Sequence, residues 1–387
     1  YHDEVVLGAK VVKKLYEALE EIFRISDATT YKELKAVLDS IKDNYSNYIT
    51  KDIVSPVLEA VELVLDSKVL AALLRPVMEK YLTQEVLGDY YEIASLNEEY
   101  QAQDLLSDLR SIIGAVNELV EFGAIELAQA YLTETDQEID LSDGNIEHLT
   151  NAISKLFDLE ILKVKKETIF DLVSKIASEK LEIEITDFDL NPVGGFANDG
   201  VHLGNAIVIL LKAIVNSKLE IKTLNDIVKL DFASIDFKSL ITQELVDSVV
   251  EAVKELTKMN ILREALPTVV NYAKAKLIPE EYLGVVEALT LEKANLATDV
   301  DTIVEIIEIL ASSGVVSYFE TEDVNIEEVY NNIVGKGLAK KIESLGMLKD
   351  NAEKIIEAVL ALEVIGIELT DEERASLAEV NYHDEVV

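Results

Sequence analysis

The hexapeptide YHDEVV occurs twice in this chain, at residues 1–6 and again at residues 382–387. Six matches in six positions are not coincidence, because two residues match by chance only about once in 20. Residue 382 therefore repeats residue 1, and we interpret residues 1–381 as one copy of a long tandem repeat. An engineered or circularly permuted junction is the alternative. Because the chain starts at Tyr1 instead of a methionine, we also expect either that a preceding segment was removed or that the chain is an excerpt of a longer polypeptide.

The two halves of the chain resemble each other. Residues 3–12 match residues 199–208 with Asp, Val, Leu, Gly and Val at the same offsets. The motif around Glu59-Ala60-Val61 returns at Glu251-Ala252-Val253, and Pro76 corresponds to Pro267. Because the shifts agree to within a few residues, the halves share an ancestor or a template.

A weaker similarity divides each half again. The alanines of four related motifs, at Ala60, Ala152, Ala252 and Ala358, each lie in an amphipathic helical pattern. We therefore predict four degenerate units of a size typical of small domains. Their boundaries are 1–96, 97–190, 191–291 and 292–381, and residues 382–387 begin the next repeat.

Apolar residues recur at helical spacing through the chain. The first helix of each unit is predicted at residues 3–22, 103–120, 199–215 and 299–311, with an acidic residue near each start, where the helix dipole favours negative charge. Pro76 and Pro267 are expected to start a new helix or to kink one. A short β-like run, residues 181–185, is isolated. The predicted fold is all-α, with amphipathic helical units in tandem, either solenoid-like or as beads of helical bundles.

Charge excludes several classes of partner. With 35 Lys and Arg against 74 Asp and Glu, the net charge of −39 disfavours nucleic acid and anionic lipid. The most apolar runs are too short to cross a bilayer, so no membrane insertion is expected. The absence of cysteine excludes disulfides, thiolate zinc sites and a cysteine nucleophile.

No catalytic constellation is present in the sequence. The glycines at 194–195 and 335–337 match neither phosphate-binding pattern, and no nucleophile elbow occurs. His2, His148, His202 and His383 lack a metal-binding partner at helical spacing. We predict no catalytic, cofactor-binding or metal-binding residues and no small-molecule substrate.

Two acidic stretches resemble calcium loops. The first contains Asp187, Asp189 and Asn191, but Pro192 occupies the position where the loop needs glycine. The second contains Asp136, Glu138, Asp140 and Asp143, with its glycine one residue out of register. Neither has the bidentate glutamate of an EF-hand, so calcium stays an alternative to a solvated acidic surface.

Three functions are compatible with these features. The leading hypothesis is a non-enzymatic structural repeat that forms a filament, stalk or surface layer by head-to-tail and lateral packing with copies of itself. The second is an acidic helical binding module for a basic protein, peptide or calcium. The third is an enzyme with an unrecognised acidic site. By analogy with long, cysteine-free, acidic helical arrays of microbial surfaces, we expect an extracellular or cell-surface location.

Overall fold

A computed structural model describes residues 2–41, 45–186, 188–192, 195–196, 198–217, 219, 221–230, 240–289, 291–317 and 325–348, together with 354, 355, 358 and 370. Within these residues every regular element is a helix, and the one β-type pairing is an isolated bridge between Glu138 and Thr223. The predicted all-α class is confirmed. The second YHDEVV hexapeptide lies outside the described residues.

The chain divides into two compact units. Unit 1 contains residues 1–173 and 197–235, and unit 2 contains residues 174–196 and 236–387. The finer division at 1–96, 97–190, 191–291 and 292–381 stays a prediction.

Long amphipathic helices alternate with short ones in the first part of the chain. The helices up to residue 176 are α1 (His2–Ser26), α2 (Tyr31–Ser40), α3 (Lys51–Leu65), α4 (Lys68–Tyr81), α5 (Gln84–Leu87), α6 (Tyr91–Ala94), α7 (Ala102–Phe122), α8 (Ala124–Leu132), α9 (Asp143–Phe157), α10 (Glu160–Val164) and α11 (Lys166–Ile176). A π-helical turn, Ala177–Leu181, follows α11, so the β-like run predicted at 181–185 is wrong: its residues are not extended into a strand.

The second part of the chain repeats this alternation. Its helices are α12 (Asp199–Val215), α13 (Leu224–Val228), α14 (Gln243–Thr257), α15 (Asn260–Lys276), α16 (Leu283–Glu287), α17 (Lys293–Leu310), α18 (Ile326–Gly335) and α19 (Leu338–Glu343). A π-helical turn, Ala311–Val315, continues α17. No helix in the described part of the chain is both long enough and apolar enough to span a bilayer.

The long helices of unit 1 pack in a row. Helix α1 packs on α3, α3 on α7, α7 on α9, and α9 on α12. Each of the inner helices therefore buries two faces, which its apolar stripe permits. Ala60 of α3 and Ala152 of α9 are almost completely buried, since a small side chain lets neighbouring backbones approach closely.

Helices α9 and α12 approach closely at two glycines of α12. A Cβ atom added to Gly204 would lie 2.9 Å from the Cα of Thr150, and one added to Gly200 would lie 2.8 Å from the Cα of Ser154. Both distances are shorter than van der Waals contact allows, so the absence of side chains sets the separation of these helices.

Unit 2 is organised around α17. This helix packs against α14, α15 and α19, and its π-helical continuation packs against α14 and α18. Leu296 and Val304 of α17 and Val250 and Ala252 of α14 are buried. The amphipathic stripe predicted for α14 therefore faces a core.

Short polar residues start the helices that connect the long ones. Thr30, Thr223 and Asn325 cap α2, α13 and α18, each accepting a hydrogen bond from a backbone N–H in the first turn. At α2 and α13 an acidic residue completes a capping box, with Glu33 and Asp226 accepting bonds from the cap backbone. Hydrogen bonds from the backbone N–H of the preceding residue, Thr29 or Lys222, and then those from the cap residues lower the pKa of both carboxyl groups.

Two helix boundaries differ from the sequence-based expectation or narrow it. Of the two outcomes expected for Pro76 and Pro267, the start of a new helix is not observed, because each lies inside a single continuous helix, α4 and α15 respectively; a kink at either proline stays a prediction. The helix predicted to begin at Asp299 begins at Lys293, because Glu292 stands at its N-cap position and Leu296 already belongs to the buried stripe. Asp299 thus lies in the middle of a helix.

Candidate functional site

The most distinctive polar contact in unit 1 is made by Asp108 in the middle of α7. Its carboxylate is buried and accepts hydrogen bonds from the backbone N–H groups of Glu160, at 2.5 Å, and Ile161, at 2.9 Å. These are the first residues of α10, whose N–H groups have no partners within their own helix. Asp108 therefore fixes the start of α10 against α7.

A buried tyrosine completes this contact. The hydroxyl of Tyr100 donates to Asp108 Oδ2 at 2.7 Å. Burial of the phenol, and then its hydrogen bond to the carboxylate, raise the pKa of Tyr100 above its ordinary value. With three donors on two oxygens, Asp108 is a structural anchor; we call such a contact a carboxylate clamp.

A second carboxylate clamp connects α17 to the turn after α19. Asp299 is buried and accepts hydrogen bonds from the backbone N–H groups of Gly346, at 2.7 Å, and Met347, at 2.6 Å. These residues open a 3₁₀ turn, Gly346–Leu348. The two donors therefore lie in the first turn of a helical segment, as Glu160 and Ile161 do. This segment follows the helical hairpin formed by α18 and α19.

A third clamp occurs at the beginning of α1. Glu4 accepts a hydrogen bond from the backbone N–H of Lys68 at 2.8 Å and from the hydroxyl of Ser67 at 2.9 Å. The Ser67 hydroxyl and then the Lys68 N–H lower the pKa of Glu4 below its usual 4.5. Ser67 is the N-cap of α4, so this clamp also holds the start of a helix.

A fourth acidic residue occupies a similar setting. Asp199, in the first turn of α12, is completely buried. Glu4, Asp108, Asp199 and Asp299 lie in α1, α7, α12 and α17 respectively. The sequence analysis related an acidic residue near the start of each of these helices to the helix dipole, and it did not single out Asp108.

The histidines do not converge on a site. His148 of α9 contacts Glu118 of α7 at 2.6 Å through Nδ1, and Lys155 donates to the same carboxylate at 3.1 Å. Burial raises the pKa of Glu118, but the hydrogen bonds from His148 and Lys155 outweigh burial, and the net pKa is lowered. This cluster joins α7 to α9. His2 is exposed, His202 is half-buried, and His383 lies outside the described residues.

The acidic stretches predicted as possible calcium loops are used in local hydrogen bonds. Asp140 accepts bonds from the Ser142 N–H and the Asn145 side chain, and Asp143 pairs with Lys212. In the other stretch, Asp189 accepts a bond from the Asn191 N–H, and Asp187 lies outside the described residues. Among the residues that the structure describes, no three His, Cys, Asp or Glu side chains are grouped to hold a metal ion. Calcium binding stays a prediction.

One open cleft in unit 1 has a volume of about 540 Å³ and lies between α1, α3 and α7. It is lined by Lys10, Lys13, Lys14, Glu59, Glu62, Leu63, Asp66 and Arg110. Two ion pairs link its walls: Lys14 contacts Glu59 at 2.7 Å, and Arg110 contacts Asp66 at 3.1 Å. The cleft therefore joins helices through ion pairs.

No protein-family model matches this chain, and neither the curated proteins nor the solved structures contain a match. The geometry of the chain itself is therefore the basis for any statement about function.

Proposed function

We propose that this chain is a structural, non-enzymatic repeat of a longer polypeptide that forms a filament, stalk or surface layer by packing of helices between successive and neighbouring copies. The observation that carries the proposal is the recurrence of one carboxylate clamp. Glu4, Asp108 and Asp299 each bind the start of a helical segment that lies further along the chain, by 64, 53 and 48 residues respectively.

The surroundings of the clamps support the same reading. Each clamp acid lies on a helix that is followed by a short connecting helix or π-helical turn and then by a further helix. Ala60, Ala152 and Ala252 are buried at matching places in α3, α9 and α14. A recurring buried contact in a recurring helical order is what a tandem array of related units requires.

The polar groups that are brought together also support a structural function. The buried carboxylates of Asp108 and Asp299 accept hydrogen bonds from backbone groups, and Glu118 is held between His148 and Lys155. A catalytic group needs a free position for a substrate atom. These groups instead connect one helix to another, which favours a structural function over catalysis.

The size of the native polypeptide tests this proposal. An antibody raised against residues 1–387 should detect, in the source cells, a polypeptide whose mass corresponds to several copies of the 381-residue unit. Electron microscopy of the purified material should show a regular axial period, and gold-labelled antibody should bind intact cells if the location is extracellular. A native polypeptide of 387 residues that is monomeric would contradict the proposal. Tight binding of one basic protein would favour the binding-module alternative.

A further inference from the structure

One face of α1 carries apolar residues that the structure leaves exposed. We call it the α1 outer face; it consists of Val5, Gly8, Ala9, Val12 and Tyr16, which recur at helical spacing. The exposed fractions are 68% for Val5 and 66% for Val12. Neither α2 nor α3, the helices that pack on α1, covers this face.

The corresponding face of α7 is covered. When positions are counted from the clamp acids, Val5 corresponds to Leu109 and Ala9 to Ile113. Leu109 and Ile113 pack into one apolar cluster with Leu58 and Leu65 of α3 and with residues of α4. The helical hairpin that precedes α7 in the chain therefore covers the face that α1 leaves open.

Helices α12 and α17 are also covered at the position of Ala9. That position corresponds to Gly204 in α12, counted from Asp199, and to Val304 in α17, and both residues are buried. Gly204 contacts α9, which precedes it, and α17 packs on α14 and α15, which precede it. At this position α7, α12 and α17 are therefore covered by preceding helices, and α1 is not.

We propose that the α1 outer face is a docking surface for residues 351–381 of a second copy of this chain. This inference rests on the proposed function and specifies the contact between one copy and the next, which we call the joint. The segment 351–381 carries Glu357-Ala358-Val359, which matches Glu59-Ala60-Val61 of α3. Its residues Lys354, Ile355 and Ala358 are helical, and the repeated hexapeptide places an α1 sequence directly after it.

Charge supports the choice of this occupant. The segment 351–381 contains eight acidic and two basic residues. Lys13 flanks the α1 outer face and is largely exposed, with Glu17 of the same helix 3.9 Å away. Opposite charges beside an apolar contact give orientation to the encounter and exclude other arrangements.

The joint uses two different surfaces, so it does not close on itself as a twofold dimer does. A heterologous contact between the tail of one copy and the head of the next produces an open chain or a ring. Covalently linked copies would make the same contact without dissociating, because the linkage raises the effective concentration of the tail.

Self-association of the 387-residue chain tests the joint. Sedimentation velocity over a range of concentrations should show reversible growth beyond the dimer. Val12→Glu should weaken association at least tenfold, because it places a charge in the apolar contact. Val86→Glu is the matched control, since Val86 is also 66% exposed and lies on α5. It should associate as the unaltered chain does. Val5→Asp gives a second disruption, and circular dichroism verifies that each variant is folded.

Charge reversal supplies a further pair of variants. Lys13→Glu should weaken association more than Lys32→Glu, although both change the net charge equally, because only Lys13 flanks the α1 outer face. Equal effects of the two variants would overturn the electrostatic part of the argument.

Photo-cross-linking identifies the occupant. A benzoylphenylalanine at position 12 in unlabelled chain, mixed with ¹⁵N-labelled chain, should form adducts with residues 351–381 of the labelled copy. Adducts elsewhere, adducts within one chain alone, or no association at 200 µM (about the upper range of a weak encounter) would overturn the inference. If cross-linking fails but the native polypeptide contains several copies, the proposed function stands and successive copies make a different contact. If the chains associate through these surfaces but the native polypeptide is a single copy, only the proposed function is overturned.

Discussion

The hydroxyl of Tyr100 and the carboxylate of Asp108 are 2.7 Å apart, and both side chains are buried. Tyr100 precedes α7 and Asp108 lies within it, so their hydrogen bond fixes the path of the chain into the helix. The same carboxylate holds the first N–H groups of α10. One side chain therefore positions both an entry into one helix and the start of another.

Removal of the Asp108 carboxylate should be strongly destabilising. Asp108→Ala leaves the N–H groups of Glu160 and Ile161 and the Tyr100 hydroxyl without their acceptor, at a cost of about 2–4 kcal/mol. Tyr100→Phe removes one donor and should cost about 1 kcal/mol. Urea unfolding followed by circular dichroism measures both, and hydrogen exchange should accelerate at Ile161. A change under about 0.5 kcal/mol for Asp108→Ala would show that the clamp is not important for stability.

The clamp in unit 2 predicts a contrast between two aspartates on α17. Asp299→Ala should lower the free energy of unfolding by about 2–3 kcal/mol, because it leaves the buried N–H groups of Gly346 and Met347 unpaired. Asp301→Ala removes a partly exposed ion pair with Arg263 and should cost under about 1 kcal/mol. Urea unfolding of both variants measures the difference. Equal losses of unfolding free energy in the two variants would show that the clamp of Asp299 adds nothing beyond the effect of replacing an aspartate in α17.

Replacement of glycine by alanine should change the stability in opposite directions at Gly204 and at Gly8. Gly204→Ala should destabilise unit 1 by about 1–3 kcal/mol, because its Cβ would lie 2.9 Å from the Cα of Thr150. Gly8→Ala should stabilise by about 0.5–1 kcal/mol, since nothing lies within 4 Å of its Cβ and alanine favours the helix. Thermal unfolding of the two variants shows whether each substitution raises or lowers the stability. Stabilisation by Gly204→Ala would mean that the helices can separate at no cost.

The Glu4 clamp predicts a loss of stability in acid. Because the folded pKa of Glu4 is below the usual 4.5, the unfolded chain binds a proton between these two values that the folded chain does not. The contribution is complete above 4.5 and disappears as the pH falls through the folded pKa. Glu4→Gln should therefore flatten the decrease in urea midpoint between about pH 6 and pH 3. Glu20→Gln, at an exposed position of the same helix, should retain the slope of the unaltered chain.

The helical class and the long helices were predictable from periodicity. The stripes of α12 and α14 have regular spacing over more than ten residues, and α12 begins at Asp199 and ends at Val215, as predicted. Pro267 does not start a new helix, one of the two outcomes expected for it: it is buried inside α15, which continues on both sides of it.

The partners of the clamp acids were not predictable. A helical pattern places Asp108 inside α7, but its acceptor role depends on N–H groups 52 and 53 residues away. An isolated aspartate inside an apolar stripe, as at Asp299 in α17, was the available signal. Such a residue is costly to bury without donors, so its position predicts a partner even when the sequence does not identify it.

The clamps also determine how the protein should respond to a pulling force. The Glu4 clamp closes a loop of 64 residues and the Asp299 clamp one of 47. When such a bond ruptures, the released loop extends by roughly 3.3–3.6 Å per residue, which corresponds to about 150–230 Å. A series of such units under tension would therefore lengthen in discrete steps, one for each clamp that opens. These steps would dissipate mechanical energy before any covalent bond is strained.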